Sequence, residues 1–467
     1  SQQFMTRWVP NAMLVFQRGV DGFQFARGEN LANWESIGGT LPGYGMGFFS
    51  YRRNLNAYEL RMAPLDCRRP GQYLEEGDTV FEFSLAFPYV KKQMVPLSPC
   101  SGHLLQSSRG FDKRWPTEED LASWESAGCS LMRLHNDGDS AKNGIFWRAG
   151  AYPPYPPEEM KKMDQSLEAA HRHHLDVVPY FSLHEYHPEA PGFAENAETW
   201  GRISEKGDGL IPSYYASYGY YGYVMCLNSG WMQKRRDTID EVLRKHAFDG
   251  VYYDWCSAAE CINPAHGPHH WDFRKLIEHL LWTYERVGKD GVMYLHQTAN
   301  PNIVAENLAS LILTEETGPA RIAGDMFSPH AHFMNICPRQ VCLMIPNNSP
   351  ADDLRRYAMC ALLNHATVSS ELRVFADFYR EHTAMMRETL SYSRHTAPGE
   401  GLCETSDADS VGMSAYWNPD RAMLVFANLR KEAQTVDYWF APEGKNRLTG
   451  KITVSPMTIQ TLNVNIQ

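Results

Sequence analysis

Apolar positions follow two rhythms along most of this chain. From about residue 98, short apolar runs alternate with longer stretches in which every third or fourth position is apolar. The first rhythm fits strands buried on both faces, and the second fits helices with one face on a core. The runs are 103–105, 130–134, 175–181, 251–253, 292–295, 310–313, 341–345 and 366–368. Eight candidate strands separated by helical segments predict an α/β chain built on a (β/α)8 TIM barrel. An open doubly wound sheet shares this rhythm, but it would normally carry a glycine-rich nucleotide loop after its first strand, and the sequence has none.

Helix signals support the barrel. Thr117 precedes Glu118, Glu119 and Asp120, a capping residue followed by early acids. Pro157 opens a second helix with Met160, Met163, Leu167 and Ala170 on one face, and Ser229 is placed to cap a third. Phe273, Leu276, Ile277, Leu280, Leu281 and Tyr284 form the clearest apolar stripe. A last helix is expected over roughly 375–390.

The flanks read differently. Residues 1–97 are rich in glycine, aromatics and short alternating runs such as Thr79–Phe87, which predicts an N-terminal β-sandwich or its second half. Residues 98–395 make the barrel. Residues 396–467 carry four alternating runs, 412–416, 422–427, 435–440 and 458–462, and predict a small antiparallel β domain with a structural role. The chain opens on Ser1 and a strand-like run, so it is expected to begin part-way through a larger protein.

Composition narrows the chemistry. The 467 residues are 43% hydrophobic and 21% charged, ordinary for a globular chain with ample core. A formal charge of -11 argues against a nucleic-acid partner, which would need basic patches. No stretch is long and apolar enough for a membrane span. The 12 Trp and 24 Tyr tilt the reading slightly toward sugars, whose ring faces stack on aromatics. Ten Cys at this length do not make a disulfide framework. Compartment is left open, leaning to secreted or periplasmic, and oligomeric state is not legible.

Polar residues follow the candidate strands. The second leads to His135, Asn136 and Asp137, then Trp147 and Arg148; the third to His184 and Glu185; the fourth to Asp254, Trp255 and Cys256. The fifth ends at His296, and the sixth at Glu315 and Glu316. Barrel enzymes place their chemistry at these strand ends. A carboxyl ending a buried strand is costly unless hydrogen-bonded or used, so Asp254 is the leading candidate. Paired with Glu315 or Glu316, it would supply the two carboxyls that glycoside cleavage requires. Glu185 is a third candidate carboxyl. His135, Asn136, Trp147, Arg148, His184, Glu185, Trp255 and His296 are expected to line the sugar subsite, and the tyrosine-rich stretch 213–223 is either a substrate flap or ordinary packing.

Two rival classes keep a place: a carbohydrate-binding barrel without catalysis, and a metal-dependent lyase or isomerase using His135, Asp137, His184, Glu185 and His296. Cys256, Cys261, His266, His269 and His270 match no closed structural zinc spacing, so a Cys256–Cys261 disulfide or simple packing is the expectation there. His171, His173 and His174 at a helix end are read as structural. No metal and no organic cofactor is expected.

Phe248-Asp-Gly-Val-Tyr-Tyr-Asp254-Trp-Cys256 resembles the α-galactosidase segment in which a Tyr-Asp pair is followed, one residue on, by Cys. The whole arrangement is similar to retaining α-glycosidases with barrel cores, the α-galactosidase, dextranase and α-amylase groups. That resemblance implies a retaining glycoside hydrolase acting on an α-linked sugar, with Asp254 as nucleophile. The α-galactosidase group uses an Asp after the sixth strand as acid/base, whereas Glu315 and Glu316 stand here; the dextranase-like enzymes pair an Asp with a Glu.

Overall fold

The computed structural model describes residues 5–9, 13–18, 21–27, 48–54, 57–63, 83–90, 100–105, 115–135, 150, 152–153, 157–204, 207, 209–215, 220–256, 258–267, 270–296, 305, 308–315, 340–344, 350–371, 376–398, 401–442 and 444–466. Before residue 115, and at some positions in later elements, only the backbone is described.

Eight strands form a closed barrel: β1 (Cys100–Leu105), β2 (Cys129–His135), β3 (Asp176–Ser182), β4 (Gly250–Asp254), β5 (Val292–His296), β6 (Leu311–Glu315), β7 (Gln340–Met344) and β8 (Thr367–Glu371). Each pairs in parallel with the next, and β8 returns to β1 through Ser369 opposite Ser101. All eight overlap the apolar runs read from the sequence. Between them lie α1 (Glu118–Ser126), α2 (Pro157–Arg172), α3 (Phe193–Trp200), α4 (Trp231–Lys245), α5 (Phe273–Val287) and α6 (Ala351–Leu363), with α7 (Ala376–Thr389) after β8.

Local chemistry explains several of these boundaries. Thr117 and Asp120 form a reciprocal capping box at α1, each side chain accepting the other's backbone N–H. At α4 the sequence reading is off by one residue: Gly230 is the cap, while Ser229 Oγ accepts the Trp231 N–H at 3.2 Å and donates to the Cys226 carbonyl at 2.6 Å. Gly250 opens β4 where a Cβ would lie 1.9 Å from the Val292 carbonyl oxygen, so only glycine lets β4 and β5 approach this closely.

Strand alternation divides the core into two layers. Val251, Tyr253, Met293 and Leu295 face outward onto Leu276, Leu280, Ile239 and Val242 of the helices. Leu131, Val178, Tyr180, Tyr252, Tyr294, Leu311, Leu313 and Cys342 fill the barrel interior. Asp254 lies two residues beyond Tyr252, so it takes the inward register at the carboxyl end of β4.

The N-terminal strands form a four-stranded antiparallel sheet and a separate hairpin, Phe48–Asn54 with Ala57–Ala63. The expected strand at 79–87 is found at Phe83–Val90, with residues 79–82 outside the described set. After α7, a four-stranded and a three-stranded antiparallel sheet pack on a shared core that includes Met413, Leu424, Phe426, Val436 and Phe440. Arg394–Thr396, Cys403–Thr405 and Leu448–Val454 add strands to the four expected. This sandwich is tied to the barrel at the end of α6, where Tyr416 donates to the Leu362 carbonyl and His395 Nε2 donates to that of Leu363 at 3.0 Å. Among the described residues no helix is long and apolar enough to cross a membrane.

Candidate active site

Asp254 is the centre of the strand-end cluster. Its side chain is 14% exposed, and that of His296 is 10% exposed. His296 ends the neighbouring strand β5, and its Nδ1 lies 2.7 Å from Asp254 Oδ1. Tyr180, one turn of the pleat below on β3, donates its hydroxyl to Oδ2. The Trp255 N–H donates to Oδ1 at 2.9 Å. Both carboxylate oxygens are therefore held, and the orientation of the group is fixed before any ligand arrives.

The chain turns sharply beyond this acid. Trp255 has φ of +54°, the left-handed region that a bulky side chain rarely adopts. Strained backbone persists only where surrounding structure holds it, and it concentrates at functional sites. Here the holding groups are the Asp254 carboxylate on the Trp255 amide and the Leu183 N–H on the Asp254 carbonyl at 3.2 Å.

Beneath the acid, Arg133 of β2 is 1% exposed inside the barrel, its guanidinium 4.2 Å from the Tyr252 ring centroid and 5.7 Å from that of Tyr294. A buried cation against two aromatic rings set edge to face places positive charge in the barrel interior on the carboxyl-end side of Leu131. Sequence reading passed over both Arg133 and Tyr180. The one signal for Arg133 was a charge inside an otherwise apolar strand.

The other sequence candidates are distributed as follows. Glu315 ends β6, the strand beyond β5, with a register shift between Leu313 and Glu315; its backbone is described and its side chain is not. His135 ends β2, again with only the backbone described. Glu316, Asn136, Asp137, Trp147 and Arg148 lie outside the described residues. The ends of β4, β5 and β6 are consecutive around the barrel, so the backbone brings Asp254, His296 and Glu315 to one side of one mouth.

His184 and Glu185 lie just past β3 and are wrapped in the long insertion that leads to α4. The Glu185 carboxylate is fully buried and accepts the Ser213 hydroxyl at 2.6 Å, while His184 Nδ1 donates to the Met225 carbonyl at 3.1 Å. Glu185–Tyr186 pairs with Tyr220–Val224, and that strand pairs with Pro212–Tyr215. The tyrosine-rich stretch thus builds a small antiparallel sheet over this side of the barrel; residues 216–219 lie outside the described set. Tyr186 anchors it, buried between Trp231 and Trp200.

The expected Cys256–Cys261 disulfide is not formed. Both residues are buried thiols. Cys256 points into the main core, where burial pushes its thiol well above the ordinary value. Cys261 instead meets Cys226 and His266, the group among the described residues whose ligand atoms converge, all within 4.8 Å. His184, Glu185 and His296 are not part of that group, and His269 lies outside the described residues.

A family model described only as a domain of unknown function, DUF6259, matches residues 147–272, which run from before α2 to the residue that precedes α5. No curated protein matches the chain. Similar solved structures include a noncanonic maltogenic α-amylase from Thermotoga neapolitana, with a TM-score of 0.56 at 10% identity over 80% of this chain and 100% of that one. An α-amylase from Lactobacillus plantarum superposes with a TM-score of 0.54 at 9% identity, over 78% of this chain and 98% of that one. Trehalose-6-phosphate hydrolase from Bacillus licheniformis gives 0.54 at 11%, over 79% and 99%. At these identities the likeness is one of fold alone.

Proposed function

We propose that this protein is a retaining glycoside hydrolase acting on an α-linked sugar, with Asp254 as its nucleophile. The observation that carries the reading is a single carboxylate, braced by His296 and Tyr180 yet partly open, at the carboxyl end of the fourth strand of an eight-stranded barrel. The fold shared with α-amylases and a trehalose-6-phosphate hydrolase supports it. In this reading 98–395 is the catalytic unit, preceded by a β-sandwich over 1–97 and followed by the β domain over 396–467.

The reaction proceeds in two displacements. An Asp254 carboxylate oxygen attacks the anomeric carbon as the glycosidic C–O bond breaks, and Glu315 or Glu316 gives its proton to the leaving oxygen. The same glutamate then takes a proton from water, whose oxygen displaces Asp254 and restores the starting configuration. A retaining pair needs its carboxyls roughly 5 Å apart. The His296 and Tyr180 donors favour the ionised form of Asp254 that attack requires. Trp147, Arg148, His135, Asn136 and Trp255 would surround the cleaved sugar, and carbohydrate is the partner.

The test is hydrolysis of paired α- and β-nitrophenyl glycosides and of malto-oligosaccharides by native protein and Asp254→Asn. Native protein should cleave α-linked substrates, with the first-formed sugar keeping its configuration by NMR. Asp254→Asn should lose about three orders of magnitude or more in kcat. Equal activity of the variant overturns the nucleophile assignment, and sugar binding without cleavage of any substrate favours the non-catalytic barrel.

A further inference from the structure

The loop that leaves the active-site strand runs back over the insertion and is pinned there by polar contacts unrelated to sugar chemistry. Asn263 caps the short helical turn Pro264–His266 by accepting the Ala265 N–H at 3.0 Å, and its Nδ2 donates to the Gly201 carbonyl at 2.8 Å. Cys226 is held on the same patch, its N–H donating to the Trp200 carbonyl at 2.9 Å. These contacts bring together three residues that the sequence keeps apart. Cys226 and Cys261 are 0% and 1% exposed, and Cys261 Sγ lies 3.3 Å from His266 Nδ1. Their three ligand atoms all lie within 4.8 Å of one another.

We infer that Cys226, Cys261 and His266 form a binding site for a thiophilic divalent metal ion of the zinc class, which braces the loop after β4 against the insertion after β3. Around a tetrahedral zinc with Zn–S near 2.3 Å and Zn–N near 2.0 Å, donor atoms stand about 3.5–3.8 Å apart. In the cluster Cys261 Sγ and His266 Nδ1 stand 3.3 Å apart and no pair of ligand atoms exceeds 4.8 Å, so small side-chain shifts reach that spacing.

One further feature favours a metal over a chance meeting of side chains. His266 Nε2 lies 2.7 Å from the Thr199 carbonyl, which can only accept, so Nε2 carries the proton and Nδ1 turns its lone pair toward the sulfurs. A backbone carbonyl on the remote ring nitrogen is the usual way a metal-binding imidazole is oriented. His266 is half-buried, which leaves one side of the cluster reachable from solvent. Two thiolates and an imidazole leave a fourth position for water or another donor. All three residues fall within the matched segment 147–272. The inference stands apart from the proposed hydrolase activity.

The experiment begins with native protein grown with zinc and purified without chelator. Elemental analysis should give about one zinc per chain. Titration with a mercurial should release that zinc to a chromophoric chelator in step with the loss of two thiols. Cobalt substitution should give thiolate-to-cobalt charge-transfer bands and the visible absorption of a tetrahedral site. Cys261→Ser, and separately His266→Ala, should lower metal content to less than about a tenth of one equivalent and abolish those bands. The titration of native protein keeps the test decisive if a variant fails to fold.

Three results overturn the inference: native protein that takes up no zinc or cobalt, one equivalent retained in Cys261→Ser, or a non-reduced intact mass showing Cys226 joined to Cys261. A loss of hydrolase activity with metal content unchanged would bear on the proposed function alone.

Discussion

His296 Nδ1 meets Asp254 Oδ1 at 2.7 Å across the ends of two adjacent barrel strands, making the imidazole the lateral brace of the candidate nucleophile. Its N–H donates to the carboxylate, which favours the ionised form. Without the donor, protonation sets in at higher pH. His296→Ala should therefore move the acidic limb of the kcat/KM profile upward and lower its plateau about tenfold to a hundredfold. Tyr180→Phe should act in the same direction through the other oxygen. A pH profile of each variant against a chromogenic α-glycoside checks both; a uniform fall with no displacement of the limb would reduce these residues to packing.

Trp255 offers a backbone test. Its φ of +54° is tolerated by glycine and disfavoured for residues with a Cβ. Trp255→Gly and Trp255→Ala remove the same ring, so their difference isolates the backbone. The glycine variant should be the more stable by about 1 kcal/mol in urea unfolding. Equal midpoints would mean that the turn relaxes once the ring is gone.

Asp272 holds two loops at once. Fully buried, its carboxylate accepts the Leu227 N–H at 3.1 Å and the Ala259 N–H at 2.7 Å, joining the insertion after β3 to the loop after β4. Asp272→Ala strands two enclosed amides and should cost about 2–5 kcal/mol. Chemical denaturation measures it, and a cost below about 1 kcal/mol would show that water replaces the carboxylate.

His173 sets a pH dependence on the far side of the barrel. It bridges α1 and α2 by pairing with Glu125 at 2.9 Å and Glu118 at 2.8 Å. Those bonds, Glu125 first, raise its pKa above the ordinary 6.5, and the His173 contact, followed by Arg172, lowers that of Glu118 below 4.5. The histidine contribution is full below about 6.5 and fades as pH climbs through the raised value. The Glu118 contribution is full above about 4.5 and fades as pH drops through the lowered one. Native protein should thus be favoured between these limits, and His173→Gln should flatten the fall in melting temperature on the alkaline side. An unchanged slope would show that the exposed cluster is screened by solvent.

Much of the fold is legible because parallel barrel strands, enclosed on both faces, are written as unbroken apolar runs such as Val251-Tyr-Tyr253. The stripe through Leu276 and Leu280 marks α5 just as plainly. Arg394–Thr396 and Cys403–Thr405 are too short to show a period, whereas Leu448–Val454 alternates apolar residues with Thr449, Lys451 and Thr453 and was legible as a strand. Within the site, Asp254 stands out as a charge ending a hydrophobic run. Tyr180 does not, because a tyrosine within an apolar strand reads as core until its hydroxyl is seen to reach a carboxylate. The Cys226, Cys261 and His266 group was hidden for another reason. A helix and a barrel strand separate Cys226 from the other two, and spacing along a chain carries no information about contacts made across an insertion.

Pairing of Thr367–Glu371 with Cys100–Leu105 also dictates an order of events. During synthesis β1 emerges long before its last neighbour exists, so one flank of the nascent sheet stays unsatisfied until residue 371 has been made. So long a wait between contacting segments implies slow, high-contact-order folding and a sticky intermediate. Fragments ending short of β8 should self-associate through that exposed flank, whereas one ending after α7 should close.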